Sequence, residues 1–220
     1  MLKKILKIVL ILSGIALLIF GGYIGMIIYA FGGFDKDYSV TDLKENFEEN
    51  KIEIYELKNY FNKIVPKDKF VEIEFEDDNT LTRFGIATID TTKNDSNKAM
   101  FLEWDLETDT PRMDSIIKPL GWTRETLKTI KHKLDNANCI QIESGEPAKI
   151  GFKRSGMGMY SFNVFDKPIS REARQKYNDS CTYILANEKL VLEYGGGAIG
   201  SQLRQSAACH EYPQCRRIGT

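Results

Sequence analysis

From Ile8 to Phe34 the chain carries no charged side chain. An α-helix rises 1.5 Å per residue, so about 20 apolar residues cross a hydrocarbon core of roughly 30 Å. The run is long enough to span with some tilt, and it dictates the rest of the organisation. The expectation is a basic N-terminus over residues 1–7, a transmembrane helix over 8–33, one α+β domain over 34–200 and a divergent, flexible tail over 201–220. Lys3, Lys4 and Lys7 precede the run, and Asp35, Lys36 and Asp37 follow it. The excess of lysine on one flank places the N-terminus in the cytoplasm and the domain beyond the bilayer.

A cleaved secretory signal is the rival reading. It has a charged start but an apolar core of only about 7–15 residues. Ala30 and Gly32 offer small residues for such a cleavage, whereas the length of the run favours an uncleaved signal anchor. Gly14, Gly21 and Gly25 fall on roughly one helix face, and Gly21 and Gly25 make a GxxxG pair. Small residues let two membrane helices approach closely, so this is a candidate homodimer face. Glycine is also common in membrane helices for other reasons.

Beyond the membrane run the composition is globular, with 42% apolar and 28% charged residues in the whole chain. Setting aside the three N-terminal lysines leaves 27 basic against 31 acidic residues, a net of −4. Nucleic-acid binding needs a concentrated basic face, so no nucleic-acid partner is expected.

Leu43, Phe47, Ile54, Leu57, Phe61 and Ile64 recur in steps of four and three, with Asn50 at the one polar position. That spacing predicts a helix over 41–64, capped by Ser39 or Thr41 and ended by Pro66. It either packs its stripe on the domain's own sheet or continues as a dimeric stalk. Strands are expected at 70–76, 81–91, 100–106, 139–143, 149–153, 159–165, 182–186 and 190–194. Helices are expected at 123–136 and 171–177, and residues 111–121 read as irregular. In 70–76, Val71, Ile73 and Phe75 alternate with Glu72, Glu74 and Glu76, which reads as a strand with one wet face. The fold class is therefore α+β, a mostly antiparallel sheet with two or three packed helices behind one transmembrane helix.

No motif singles out a chemistry. Residues 195–200 match G-x-G-x-x-G, but a dinucleotide site also needs a further strand and an acid about 20 positions on, and neither follows. A tight turn or close backbone approach after an edge strand is the plainer reading. Glu103, Asp105, Glu107 and Asp109 form one acidic stretch, and Glu143 and Glu146 another; paired carboxyls could hydrolyse a glycoside. The loop with Asp90, Asn94, Asp95 and Asn97 lacks the EF-hand pattern. His132 sits among lysines on a helix, and neither it nor His210 has a nucleophile context. Cys209, His210 and Cys215 supply three metal ligands where structural zinc wants four. No cofactor or metal is expected.

Outside the cytoplasm an even number of cysteines favours disulfides. Cys139, Cys181, Cys209 and Cys215 allow three connectivities, of which Cys139–Cys181 with Cys209–Cys215 is preferred. Residues 201–220 contain no Lys or Asn, and read either as a flexible tail or as a terminus altered by a frameshift.

The stretch from Pro119 to about Gly200 resembles uncharacterised membrane-anchored proteins of Bacteroidota. The residues that carry the likeness are Leu120-Gly121-Trp122, Asn138-Cys139-Ile140, Arg154-Ser155-Gly156-Met157-Gly158, Tyr177-Asn178-Asp179-Ser180-Cys181 and Tyr194-Gly195-Gly196-Gly197. It covers about a third of the chain and stops at the tail. It implies a Gram-negative inner-membrane setting, with the domain in the periplasm or outside the cell, and carries no site residue across. The function expected is a membrane-tethered interaction or envelope-support module. A carboxylate hydrolase and a binding domain for a small apolar ligand are the alternatives.

Overall fold

The computed structural model describes residues 2–30, 34–89, 100–156, 158–177 and 182–196. Helix α1, Leu2–Ala30, contains the apolar segment Leu10–Ala30, and none of that segment is buried in protein. By length and composition it is able to cross a membrane, as an anchor or as a signal sequence.

After it come α2 (Val40–Glu49), α3 (Lys51–Ile64), β1 (Lys69–Phe75), β2 (Thr80–Thr88) and β3 (Met100–Glu107). Then follow α4 (Pro111–Ile117), a 3₁₀ turn at Lys118–Leu120, α5 (Arg124–Asn136), β4 (Gln141–Glu143), β5 (Ala148–Ser155) and β6 (Gly158–Val164). The described part ends with α6 (Arg171–Lys176), β7 (Tyr183–Asn187) and β8 (Leu190–Gly196). The strands make one eight-stranded sheet in the order β3-β2-β1-β4-β5-β6-β8-β7, and every pairing is antiparallel. The α+β class is as the patterning predicts.

One face of the sheet carries the core. Val71, Ile73, Phe84, Ile142, Ile150, Phe162 and Leu192 meet Leu43, Phe47, Ile54, Leu57 and Phe61 from α2 and α3, and Leu127, Ile130 and Leu134 from α5. The expected stripe of residues 43–61 therefore faces the chain's own sheet. It runs along two helices rather than one, because the backbone departs from helical geometry at Asn50 (φ −114°). Asn50 donates through Nδ2 to Asn46 O at 2.9 Å, a local bond that competes with a regular helix. Ser39 is the cap: it accepts from Asp42 N–H, and Asp42 Oδ2 accepts from Ser39 N–H at 2.7 Å.

Residues 111–121, expected to be irregular, instead contain α4. Thr110 caps it and Pro111 opens its first turn, where a missing N–H costs nothing. Gly121 (φ +70°) closes the segment in a left-handed conformation that suits glycine. Trp122 then packs on Phe61 and Phe84 and donates from Nε1 to Ile64 O at 3.0 Å, locking α3 to the sheet.

Cys139, expected in a bridge with Cys181, is a free buried thiol whose Sγ donates to Ala137 O at 3.2 Å. Burial pushes that thiol up to about 12. Cys181, Cys209, Cys215 and His210 lie outside the described residues, as does the loop with Asp90, Asn94, Asp95 and Asn97.

Candidate functional site

The second face of the sheet is polar at its centre. Side chains alternate along a strand, so register tells which residues share this face. Glu72, Glu143, Lys149 and Asn163 stand opposite one another on β1, β4, β5 and β6. The next row holds Arg83, Glu74, Gln141, Gly151, Ser161 and Glu193, on β2, β1, β4, β5, β6 and β8. A small apolar cluster around Val191, with Ala173 and Tyr177 from α6 and its end, covers the face toward β7.

The wet face expected for β1 is not wet. Glu74 is 1% exposed and Glu72 only 7%. β1 is an inner strand, and long cationic side chains lie across its acids, Arg83 from the adjacent β2 and Arg154 from β5 beyond β4. Arg154 grips Glu74 through two parallel hydrogen bonds, one of them 2.6 Å from Nη2 to Oε2. Arg83 Nε lies 3.0 Å from Glu72 Oε1. On β8, Glu193 accepts from Lys149 Nζ at 2.8 Å and from Asn163 Nδ2 at 2.7 Å. Glu143 accepts from Gln141 Nε2 at 3.2 Å. Ser161 is fully buried, and its Oγ has no hydrogen-bond partner.

The electrostatics follow from this crowding. Burial raises the Glu72 carboxyl, with Arg83 opposing and Glu74 adding to the rise. Burial likewise raises Glu143 against the pull of Lys149. Burial also acts to lower Lys149, but Glu193 and Glu143 outweigh it and hold the ammonium above its ordinary value. Hydrogen bonding to Glu74 holds the Arg154 guanidinium up. Four carboxyls thus face three cations, and two of the four hold a proton more tightly than a free side chain does. Two neighbouring carboxyls of raised affinity are the equipment of acid–base chemistry. Glu72, Glu74 and Glu193 are tied across strands and Glu143 to Gln141 on its own strand, which is also how a purely structural polar lattice is built.

The acids singled out by sequence do not converge. Glu103 pairs with Arg112, Asp109 with Arg124, and both lie near the β3 edge. Glu143 stands mid-sheet, while Glu146 bonds Lys58 beneath α3. His132 is exposed on α5, with Nε2 3.3 Å from Asn136 Nδ2. Gly195 belongs to β8, which lies between β6 and β7 and is not the edge strand expected before the glycine run. The turn conformation proposed there falls on residues 197–200, outside the described part. Glu72, Glu74, Lys149, Arg154 and Glu193 escaped the sequence reading. Their signal was present: acids and bases at alternate positions of strands that turned out to be adjacent. Compared with known proteins, the chain matches no family model, no curated protein and no solved structure.

A second constellation lies where the chain leaves α1. Asp35 Oδ2 accepts from Gly156 N–H at 2.8 Å, and Asp37 Oδ1 accepts from Ser155 Oγ at 3.0 Å. Tyr38 sets its ring edge against Phe152 and Tyr160, at 5.1 and 5.5 Å between centroids. Tyr194 completes the patch, donating from its hydroxyl to Ser155 O at 3.2 Å. Gly158 is required there, since an added Cβ would lie 2.3 Å from that hydroxyl. The exit segment is thereby stitched to the turn of the β5–β6 hairpin. Gly14, Gly21 and Gly25 lie on α1, and an added Cβ at any of them would meet nothing in the chain.

Proposed function

We propose that this chain is a membrane-tethered interaction module of the bacterial envelope. Its N-terminus lies in the cytoplasm and its α+β domain lies in the periplasm or outside the cell. The observation that carries the reading is the stitched exit. A domain meant to roam would leave its anchor by a free linker, whereas Asp35, Asp37 and Tyr38 bind the exit segment to the β5–β6 turn. Bonded acids on the sheet support presentation rather than catalysis, since each carboxylate is already committed to a neighbour. Gly14, Gly21 and Gly25 suit a second copy of the membrane helix. A Cys209–Cys215 bridge, as the sequence suggests, suits the oxidising compartment.

Protease protection tests the placement. Proteinase K added to spheroplasts is expected to remove the domain, and inside-out vesicles are expected to shield it. The reverse pattern, or a mature N-terminus near Gly33, overturns the tethered reading.

One observation favours a hydrolase as the second reading. Glu72 and Glu143 are directly opposite on β1 and β4, and both are held above the usual carboxylate range. In that case a glycosidic substrate is turned over, and Glu143→Gln or Glu72→Gln lowers kcat at least a hundredfold without loss of fold. An unchanged rate in both variants removes it.

A further inference from the structure

β3 forms one edge of the sheet, with β2 on its inner side and no strand on its outer side among the described residues. Its outer N–H and C=O groups are a template for another strand. The exposed large apolar side chains of the described domain, apart from Phe34 at the membrane exit, are Ile52, Phe101, Leu102 and Trp104. Three of these fall within four residues of this one edge. Trp104 is 52% exposed, and the guanidinium of Arg83 stands 5.5 Å from its ring centre.

The charges on the same strand say what kind of chain fits. From Met100 to Asp109 there is no basic residue and there are four acids. Glu103 and Asp109 are neutralised by Arg112 and Arg124, whereas Asp105 and Glu107 are exposed without an ion pair among the described residues. A second copy laid along the edge would bring its own Asp105 and Glu107 against these, and like charges across strands repel. Acids at an edge are a guard against such self-pairing. A strand with apolar residues beside Leu102 and Trp104, followed by lysine or arginine beside Asp105 and Glu107, meets both requirements.

We propose that the outer edge of β3 takes a ninth strand from a partner protein, an extended segment with an apolar half beside Leu102 and Trp104 and a Lys- or Arg-bearing half beside Asp105 and Glu107, where the left-handed Asp105 breaks the alternation of β3. The basic side chains answer Asp105 and Glu107, the apolar ones cover Leu102 and Trp104, and main-chain bonds supply register. This rests on the interaction-module reading above and names its partner class.

The test uses the full chain in nanodiscs and the fluorescence of its two tryptophans. Trp122 is buried, so changes report on Trp104. A peptide that joins a run of Val to a run of Lys is expected to give a saturable blue shift, weakened by salt. The Glu/Val counterpart, or the basic peptide N-methylated at alternate residues, is expected to give none. Asp105→Asn with Glu107→Gln should weaken binding at least tenfold, Asn being chosen because it tolerates the left-handed φ of +53° at position 105. Leu102→Ser should do the same, with circular dichroism showing the fold intact. No shift, equal response to the acidic peptide, or indifference to all these substitutions overturns the proposal. So does self-association of the chain that Leu102→Ser abolishes. The broader reading fails separately, if photo-crosslinkers placed over every exposed strand and helix capture no partner in intact membranes.

Discussion

Lys58 Nζ lies 2.7 Å from Asp166 Oδ1, at the end of a side chain with no exposed surface. The same ammonium reaches Glu146 Oε2 at 3.1 Å, and Glu146 Oε1 in turn accepts from Asp166 N–H. One buried lysine on α3 thus fastens the β4–β5 turn and the segment after β6. Asn62 reinforces the first of these by exchanging two hydrogen bonds with the backbone of Gly145. Removing one acid leaves the lysine with a partner, and removing both leaves a buried charge alone. Glu146→Gln and Asp166→Asn are each expected to cost about 1–2 kcal/mol, and the double variant more than their sum. Lys58→Ala is expected to cost roughly 2–4 kcal/mol through its cavity, and Lys58→Met less. Urea melts of the five variants measure this; strict additivity of the acid substitutions would contradict it.

Acid is expected to stabilise the fold before it destabilises it. Glu72 and Glu143 are held above their ordinary 4.5, so the folded chain binds their protons more tightly than the unfolded one. Their contribution is unfavourable at neutral pH and is relieved as pH falls toward 4.5. Asp166 behaves oppositely. The hydrogen bond from Lys58 lowers it below its ordinary 3.8, and its contribution is lost as pH falls through that lowered value. Thermal melts should therefore show Tm rising from pH 7 toward about 5 and falling below about 4. Glu143→Gln should melt higher than the parent at pH 7 and converge with it near pH 4.5. A variant that melts lower at pH 7 contradicts the account.

Cutting the stitches at the membrane exit should free the domain without unfolding it. In Asp35→Ala with Asp37→Ala, the amide of Gly156 loses its acceptor and the Ser155 hydroxyl its partner. Hydrogen exchange at Gly156 is expected to quicken at least tenfold while β1 and β4 stay protected. Spin labels at positions 36 and 187 should report a broader distance distribution. Exchange unchanged at Gly156 would mean that these bonds hold nothing.

The Cys139 thiol should be inert in the folded chain. It is 3% exposed and pushed up to about 12 by burial, so almost no thiolate is present at neutral pH. Mass mapping after brief maleimide treatment is expected to find Cys139 unmodified, and modified only in urea. Rapid labelling without denaturant contradicts this.

Periodicity made most of the architecture legible. The alternation of Val71, Ile73 and Phe75 and the four-three spacing from Leu43 to Phe61 each name a buried face, because burial is what the period encodes. It did not distinguish α4, whose seven residues, with Thr110 and Pro111 at the start, give a cap but too short a stripe to show a period. Nor did it anticipate the polar face. Glu72 and Glu74 read as solvated because a single strand cannot say what its neighbours lay over it. Only the pairing of β1 with β2 and β4, and the reach of Arg154 from β5, turns them into buried ions. Sequence spacing reports the period of one element, while a site of this kind is a property of several strands in register.

The stitched exit also sets a height. Four residues lie between Ala30 and Asp35, so at roughly 3.5 Å per extended residue the β5–β6 turn can stand no more than about 20 Å from the end of the apolar helix. With that helix in a bilayer, the domain does not sample the depth of the surrounding compartment. So tethered, it is confined to a thin layer near the headgroups. Encounters become two-dimensional: a partner rooted in the same sheet of lipid is met at a high effective concentration without any stronger contact, while one that diffuses freely must come down to the surface to be caught.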